Sequence, residues 1–425
     1  MRRPGTGTVF LIYQAANGLF FRLLATVFNV FLIIELDFDP LLLTLMGTTL
    51  EVSYLLFELP TGIVADTIGR KVSVVIGVAG VGASFVLLGL STSVAMALVS
   101  QVLFGVFATF ESGADYAWLT DELGEEEARP YYLRGEQMFQ IFALVGIVGS
   151  VTIAAAFDSL RLPIVISGIA TMGLAIVLLV LMREERFTAP ERAEGSTLRQ
   201  GLWQTTRAGI AEVKRHPVLL MILAVSALHG ASTEGFDRLG DYHLLVDIGL
   251  PPLGDLNQVV WFGILDGVGL VLGIGAIQVV RRRTHLRGHA HVARILAWID
   301  VALVASVLVF AIAGSFWLAV IAFWLVGGLR NVREPIFRAW VNQGLEARTR
   351  ATINSMATQA DAIGQAVGGP MLGLTARYGS VPLALGISGL LRLPALLLYR
   401  RAIRGGTVGT VPPTDEEIEI EDVPS

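Results

Sequence analysis

The chain has 425 residues, of which 54% are hydrophobic and only 16% charged. Ordinary globular proteins carry about 25% charged residues, so there are too few here to cover the several water-facing domains this length would otherwise imply. A mean hydropathy of +0.66 points instead to a polytopic membrane protein, and the absence of cysteine excludes disulfides, iron–sulfur clusters, thiolate zinc sites and attached c-type haem.

Twelve stretches approach the roughly 20 apolar residues a spanning helix needs. In chain order they are 8–36, 41–64, 72–90, 94–120, 133–157, 161–182, 216–246, 256–280, 292–313, 315–342, 351–376 and 380–400. Short breaks such as Leu90 to Ser93, Ala313 to Ser315 and Arg377 to Ser380 join most neighbours, while one long break, Arg183 to Arg215, divides the set into six and six. The predicted organisation is an N-terminal six-helix bundle (1–182), a cytoplasmic central loop (183–215), a C-terminal six-helix bundle (216–404) and an acidic disordered tail (405–425). The formal net charge is −5. From Thr407 onward the tail carries Asp415, Glu416, Glu417, Glu419, Glu421 and Asp422 without a base, so the remainder is near +1 and offers no basic field for nucleic acid.

Orientation follows from Lys and Arg. With both termini cytoplasmic, 23 of the 31 fall in inside segments and only Arg161 and Arg377 in outside loops, as the positive-inside rule requires. Met1-Arg-Arg-Pro runs straight into a helix too long for a cleaved signal, so no signal peptide is expected. The halves also echo each other: at an offset of 221, Asp121 meets Asn342 and Arg129 meets Arg350. Together with the six-plus-six count, this supports a duplicated, pseudo-symmetric fold with a site between the halves near the bilayer midplane.

The sharpest string is Gly62-Ile-Val-Ala-Asp66-Thr-Ile-Gly69-Arg70-Lys71, in the turn between the second and third segments. Gly69 permits a tight reversal, Arg70 and Lys71 hold the loop inside, and Asp66 offers a carboxylate that can bond helix ends or bases in only one arrangement of the halves, which describes a conformational latch. An ordinary basic loop is the simpler reading. The string resembles the loop motif of the major facilitator superfamily, Gly-x-Leu-Ala-Asp-Arg-x-Gly-Arg-Lys, departing at Val64 and Thr67. Glu58-Leu-Pro60-Thr-Gly62 and Ser112-Gly-Ala-Asp-Tyr-Ala-Trp118-Leu-Thr-Asp121 also resemble bacterial, drug-efflux-like members, and the resemblance covers essentially the whole chain. Two departures stand out. Gln101 occupies the region where many proton-coupled members carry an intramembrane Arg, and Gly146-Ile-Val-Gly149 lacks the proline of the antiporter signature. In the eleventh segment, however, Gly364-Gln-Ala-Val-Gly368-Gly369-Pro370-Met-Leu-Gly373 resembles that signature and equally suits close helix packing.

Charges inside spanning segments cost at least ~2.5–3.5 kcal/mol at the centre unless they face protein or water. They cluster here. Arg22 lies in the first segment, Glu111 and Asp115 share a face of the fourth, Glu234, Asp237, Arg238 and Asp241 follow i, i+3, i+4, i+7 on the seventh, and Arg330, Arg333, Glu334 and Arg338 form a similar stripe on the tenth. The resemblance implies that these four helices line a central cavity. The rival reading is mutual neutralisation, for instance Glu234 with Arg238 and Glu334 with Arg338. Glu51, Glu58, Glu136, Asp266, Asp300, Asp361 and Arg392 lie on other segments, where pairing between helices is expected.

Gly386-Ile-Ser388-Gly389 matches an intramembrane protease string, but no histidine follows His291 to serve as its base. His285, His289 and His291 sit among Arg281, Arg282, Arg283 and Arg287, whose repulsion disfavours a metal ion, and no phosphate-binding loop exists. The expected protein is therefore an all-α secondary active transporter of twelve transmembrane helices, not an enzyme, without cofactor or metal. It works by alternating access in the plasma membrane, as a monomer, with a small-molecule substrate, protons and the lipid bilayer as partners. Export of small amphipathic organic compounds against protons is the leading expectation, because Glu111 and Asp115 can take up a proton within the cycle. A carrier for an anionic metabolite, clamped by Arg22, Arg330 and Arg333, is the alternative, and a non-transporting receptor or scaffold is a third possibility.

Overall fold

The protein is described by a computed structural model over residues 4–187, 217–254, 257–283, 289–342 and 347–404. The predicted acidic tail and all but the first residues of the central loop lie outside the described residues.

Local chemistry sets the breaks between helices. After α1 (Thr6–Glu35), Asp39 accepts the Leu42 amide at 2.8 Å and Pro40 fills the first helical position, so the chain re-enters as α2 (Pro40–Ile68). Gly69, at φ +137°, turns it into α3 (Arg70–Gly89). Ser93 caps α4, which runs Val94–Glu111, breaks at Ser112 and Gly113 (φ +73°), and continues as Ala114–Leu123. The remaining helices are α5 (Glu125–Phe157), α6 (Arg161–Leu181), α7 (Pro217–Tyr242, prolonged by a π-helical turn His243–Ile248), α8 (Val260–Arg283), α9 (His289–Ala311), α10 (Phe316–Asn342), α11 (Ala347–Tyr378) and α12 (Val381–Leu390 and, after a break, Leu393–Arg404).

Ten helical spans among the described residues are long and apolar enough to cross a membrane. α11 does not qualify by composition, and the charges of α7 are confined to its second half. α7 carries Glu234, Asp237, Arg238 and Asp241, and α11 carries Asp361 and Arg377 with several amides. These two pack against each other, and α11 packs along α2, so protein rather than lipid meets much of their polar surface.

Helices before Met182 pack chiefly among themselves, through α1–α5, α3–α6, α3–α4 and α2–α4, and those after Pro217 through α7–α11, α9–α10, α9–α12 and α8–α10. The two sets meet along α2–α11, α2–α7 and α5–α8. Three polar crossings lie toward the end of the molecule opposite the α2–α3 turn: Arg377 to Asp39 at 3.4 Å, Asn257 to Asp158 at 3.3 Å, and Asn29 to Asp241 at 2.8 Å; Asp266 of α8 meets Arg22 and Thr26 of α1 further in, and Glu58 of α2 meets Gln359 of α11 nearer the turn. Toward the α2–α3 turn each set instead has its own cavity, of about 440 Å³ and 410 Å³ respectively.

One polar knot ties the second set together. Asp300, only 1% exposed, accepts from Arg333 Nε at 2.9 Å and from Arg392 at 3.2 Å. Arg333 also reaches Tyr399 Oη at 3.2 Å, and Arg392 Nε reaches Ser232 Oγ at 2.8 Å. The break in α12 at Leu391 and Arg392 is what turns Arg392 inward.

Candidate functional site

The polar side of the cavity in the first set of helices is built from α1 and from α4 on both sides of its break, and α2, α3, α5 and α6 complete its walls. Tyr13, Gln14 and Asn17 lie within about one turn of α1 and face Glu111 and Asp115 across it. The Tyr13 hydroxyl donates to Glu111, as does Asn17 Nδ2 at 3.4 Å, and Gln14 Nε2 points at Asp115 Oδ2 from 3.5 Å. Glu111 and Asp115 do not share one continuous helical face, because the left-handed Gly113 breaks α4 between them. The two carboxylates still line the same cavity. Phe21, Tyr54, Phe104 and Tyr116 supply its aromatic wall, and Tyr116 packs on Phe10 and Tyr132 with ring centroids 5.5 and 5.3 Å apart. Among the described residues neither Glu111 nor Asp115 forms an ion pair; their side-chain partners are a hydroxyl and two amides, and Asp115 also meets the backbone amides at the start of its own helical segment.

The cations behave differently. Arg238 holds Glu234 at 3.1 Å and Arg338 holds Glu334 at 2.7 Å, both at the i, i+4 spacing expected from the sequence. Arg330 grips Asp237 through both guanidinium nitrogens at 2.5 and 2.8 Å. Arg333 is 2% exposed, and its fork is committed to Asp300 and Tyr399, with the Phe337 ring 4.9 Å away. Three residues beyond Arg330, it has turned into the core of the second set, so it contributes wall rather than a free clamp to the second cavity. Arg22 is held least firmly, 3.8 Å from Asp266, with its Nε lacking a hydrogen-bond partner. It lines a third cavity, of about 470 Å³, with Asn29, Gln101, Phe104, Asp237 and Arg238. Asp241 accepts from Asn29.

At the α2–α3 turn, Asp66 pairs with Arg70, and Arg70 Nε lies 3.6 Å from Asp121 of α4. Glu184, just after α6, accepts from the Arg70 and Lys71 amides at 2.5 and 3.1 Å, capping α3. A side chain at position 69 would come within 2.6 Å of Glu184 Oε2, so Gly69 is required by its backbone angle and by this cap together. Trp118 Nε1 donates to the Arg183 carbonyl at 2.6 Å, and Glu122 accepts the Glu185 and Arg186 amides. A Cβ at Gly62 would meet open space.

The α11 string divides its glycines between two neighbours. Gly364 and Gly368 lie against the α7 backbone at Ala227 and Ala231, whereas Gly369 and Gly373 lie against Thr44 and Thr48 of α2. The first pair joins α11 to its own set and the second, which brackets Pro370, joins it to the other.

The profile of the Major Facilitator Superfamily matches residues 10–288. The chain belongs to the Major Facilitator Superfamily. It is a multi-pass membrane transporter of that superfamily rather than an enzyme. An uncharacterized MFS-type transporter of Bacillus subtilis (strain 168), YxaM, is 24% identical over 143 residues, a match spanning 34% of this chain and 36% of that relative. Among solved structures, the nucleoside transporter NupG superposes with a TM-score of 0.75 at 13% identity, over 94% of this chain and all of that one. The peptide transporter POT in complex with sulfate gives 0.74 at 14% identity, over 95% of each. A bacterial homolog of the human lysosomal transporter Spinster gives 0.71 at 12% identity, over 94% of this chain and 97% of that one. These likenesses establish the superfamily fold.

Glu111 and Asp115 stand out in the sequence of this superfamily member, but the side chains that hold them do not. Tyr13, Gln14 and Asn17 are legible as polar residues of the first helix, within five positions of one another. Glu184 and Asp121 become partners of the α2–α3 turn only through the fold.

Proposed function

We propose that this transporter exports small amphipathic organic cations in exchange for protons, by rocking two six-helix units (1–182 and 216–404) about a midplane cavity. The observation that carries this reading is the asymmetry of charge. Arg238, Arg330, Arg333, Arg338 and Arg392 are each engaged by a carboxylate, while Glu111 and Asp115 are held by neutral donors in an aromatic-walled cavity. A carboxylate with neutral partners in a water-poor site can exchange a proton for a bound cation, and aromatic faces add cation–π attraction. Positive-inside placement of Lys and Arg puts the α2–α3 turn in the cytoplasm, so the first two cavities lie toward that side and the crossings Arg377–Asp39 and Asn29–Asp241 toward the outside. The Spinster homolog named above was solved in an inward-facing and unoccupied conformation. Arg22, with its long contact to Asp266 and unpartnered Nε, favours the second reading, a carrier for an anionic metabolite. Binding titrations with tetraphenylphosphonium and with a panel of anionic metabolites separate the two. Under the export reading, Glu111→Gln weakens cation binding about tenfold or more and Arg22→Ala leaves it intact. Loss of anion binding in Arg22→Ala, with no cation bound by any variant, would establish the carrier instead.

The Asp66–Arg70–Asp121 cluster is the proposed latch, with Gly62, Gly69 and Lys71 completing its loop. Asp66 is half exposed and pairs within its own turn, so Asp66→Asn should change stability by less than about 1 kcal/mol. Transport should nevertheless fall about tenfold, as expected for loss of a state-selective contact worth 1–3 kcal/mol. Transport assays alongside thermal melts of Asp66→Asn and Arg70→Ala test this; unchanged transport with unchanged accessibility of both faces counts against a latch.

A further inference from the structure

Along α2, positions 44, 47, 48 and 51 lie on one face, and this face meets α7 and α11 of the other set. Gly47 leaves a notch there. A Cβ at this position would overlap the Glu234 carboxylate and come within 2.6 Å of Arg238 Nε, so the Glu234–Arg238 pair of α7 is seated in α2. Glu234 is 1% exposed; its Oε1 accepts from Arg238, but its Oε2 is buried with no hydrogen-bond partner. Thr48 Oγ1, from the opposite set, is also buried without a partner. Both flank Gly369, where a Cβ would lie 2.5 Å from Thr48 Oγ1 and 3.3 Å from Glu234 Cγ. One turn on from Gly47 stands Glu51.

The charges acting on Glu234 are Arg238 and Asp237 of its own helix and Arg330 of α10, and those acting on Glu51 are Glu234, Arg238 and Asp361 of α11. Arg330 is committed to Asp237, and Asp361, whose partner Gln365 is a neutral amide, adds a further negative charge, so Arg238 is the one guanidinium that acts on both Glu51 and Glu234. With both carboxylates ionised, the closed seam would hold an uncompensated negative charge and an orphaned oxygen.

We propose that Glu234 and Glu51 share one proton at the α2–α7–α11 seam, with Thr48 as the hydrogen-bonding hydroxyl, and that this proton must be bound for the seam to close. It comes from water when the seam is open and returns to water when the seam reopens. A proton on Glu234 Oε2 turns the orphaned acceptor into a donor and balances the remaining carboxylate against Arg238. This second proton site, distinct from Glu111 and Asp115, rests on the reading that the two units rock. It makes occupancy by a proton the condition for closing the outer side.

The chain has no cysteine of its own, so nitroxide labels can be placed at Leu90→Cys and Ile312→Cys, exposed positions just past the ends of α3 and α9, one in each set of helices. Spin-label distances in lipid nanodiscs, without any substrate, then report closure. Between pH 5 and pH 9 the open-to-closed ratio should rise at least about tenfold, because the open seam releases the proton. Glu51→Gln and Glu234→Gln, each a neutral mimic of the singly protonated pair, should remain closed at both pH values. Gly47→Ala, which unseats the pair, should be open at both. A wild type that shows the same distances at pH 5 and pH 9 overturns the proposal, as does a shift that survives in both Gln variants. Glu111→Gln should keep its pH-dependent distances even where it loses cation transport. Failure of cation transport with the distance shift intact would therefore refute the export reading and leave the seam proton standing.

Discussion

Glu111→Gln is expected to lower gradient-driven accumulation of a lipophilic cation by about a hundredfold or more, while substrate exchange at equal pH persists. Glutamine keeps the shape and can still accept from Tyr13 and Asn17, so the cavity wall should survive; what disappears is the exchangeable proton. Asp115→Asn should act in the same direction but less strongly, since the nearest side-chain donor to Asp115 is Gln14, at a long 3.5 Å, and the residue sits beyond the Gly113 break. Proteoliposome uptake with and without a pH gradient separates the two activities. Normal accumulation by both single variants would remove this pair from coupling and pass the role to the α7 carboxylates.

The second large effect concerns stability. Asp300→Ala leaves Arg333 and Arg392, 2% and 3% exposed, without their shared carboxylate, a loss expected to cost about 3–5 kcal/mol. Arg392→Met should cost markedly less, because a one-to-one Arg333–Asp300 pair remains and only the bond to Ser232 goes unanswered. Melting curves of the two purified variants in the same detergent check the order. If Arg392→Met proves the more damaging, the knot is organised around the α12 break rather than around Asp300.

How much of this was legible in the sequence differs from residue to residue. Pairs four apart on one helix, Glu234–Arg238 and Glu334–Arg338, could be written down from spacing because the α-helix itself brings them together. Asp237–Arg330, Arg22–Asp266 and Arg333–Asp300 could not, since each depends on which faces two separate helices turn to each other. Arg333 shows the difference most clearly: one stripe on α10 holds both Arg330, facing Asp237, and Arg333, facing the second unit's own core. The left-handed Gly113 was visible only as a glycine, so Glu111 and Asp115 were assigned one uninterrupted face. The loop motif and the glycine string of α11 were conspicuous. That the string splits its contacts between α7 and α2 follows from two glycine pairs five positions apart, which an α-helix turns to different sides.

Proton exchange for an organic cation is the central claim, and pyranine trapped in proteoliposomes tests it most directly. With the lumen acidic and tetraphenylphosphonium added outside, the account expects the lumen to alkalinise as the cation enters, in wild type but not in Glu111→Gln. A lumen whose pH stays unchanged while labelled cation accumulates to the same level in both proteins would contradict it.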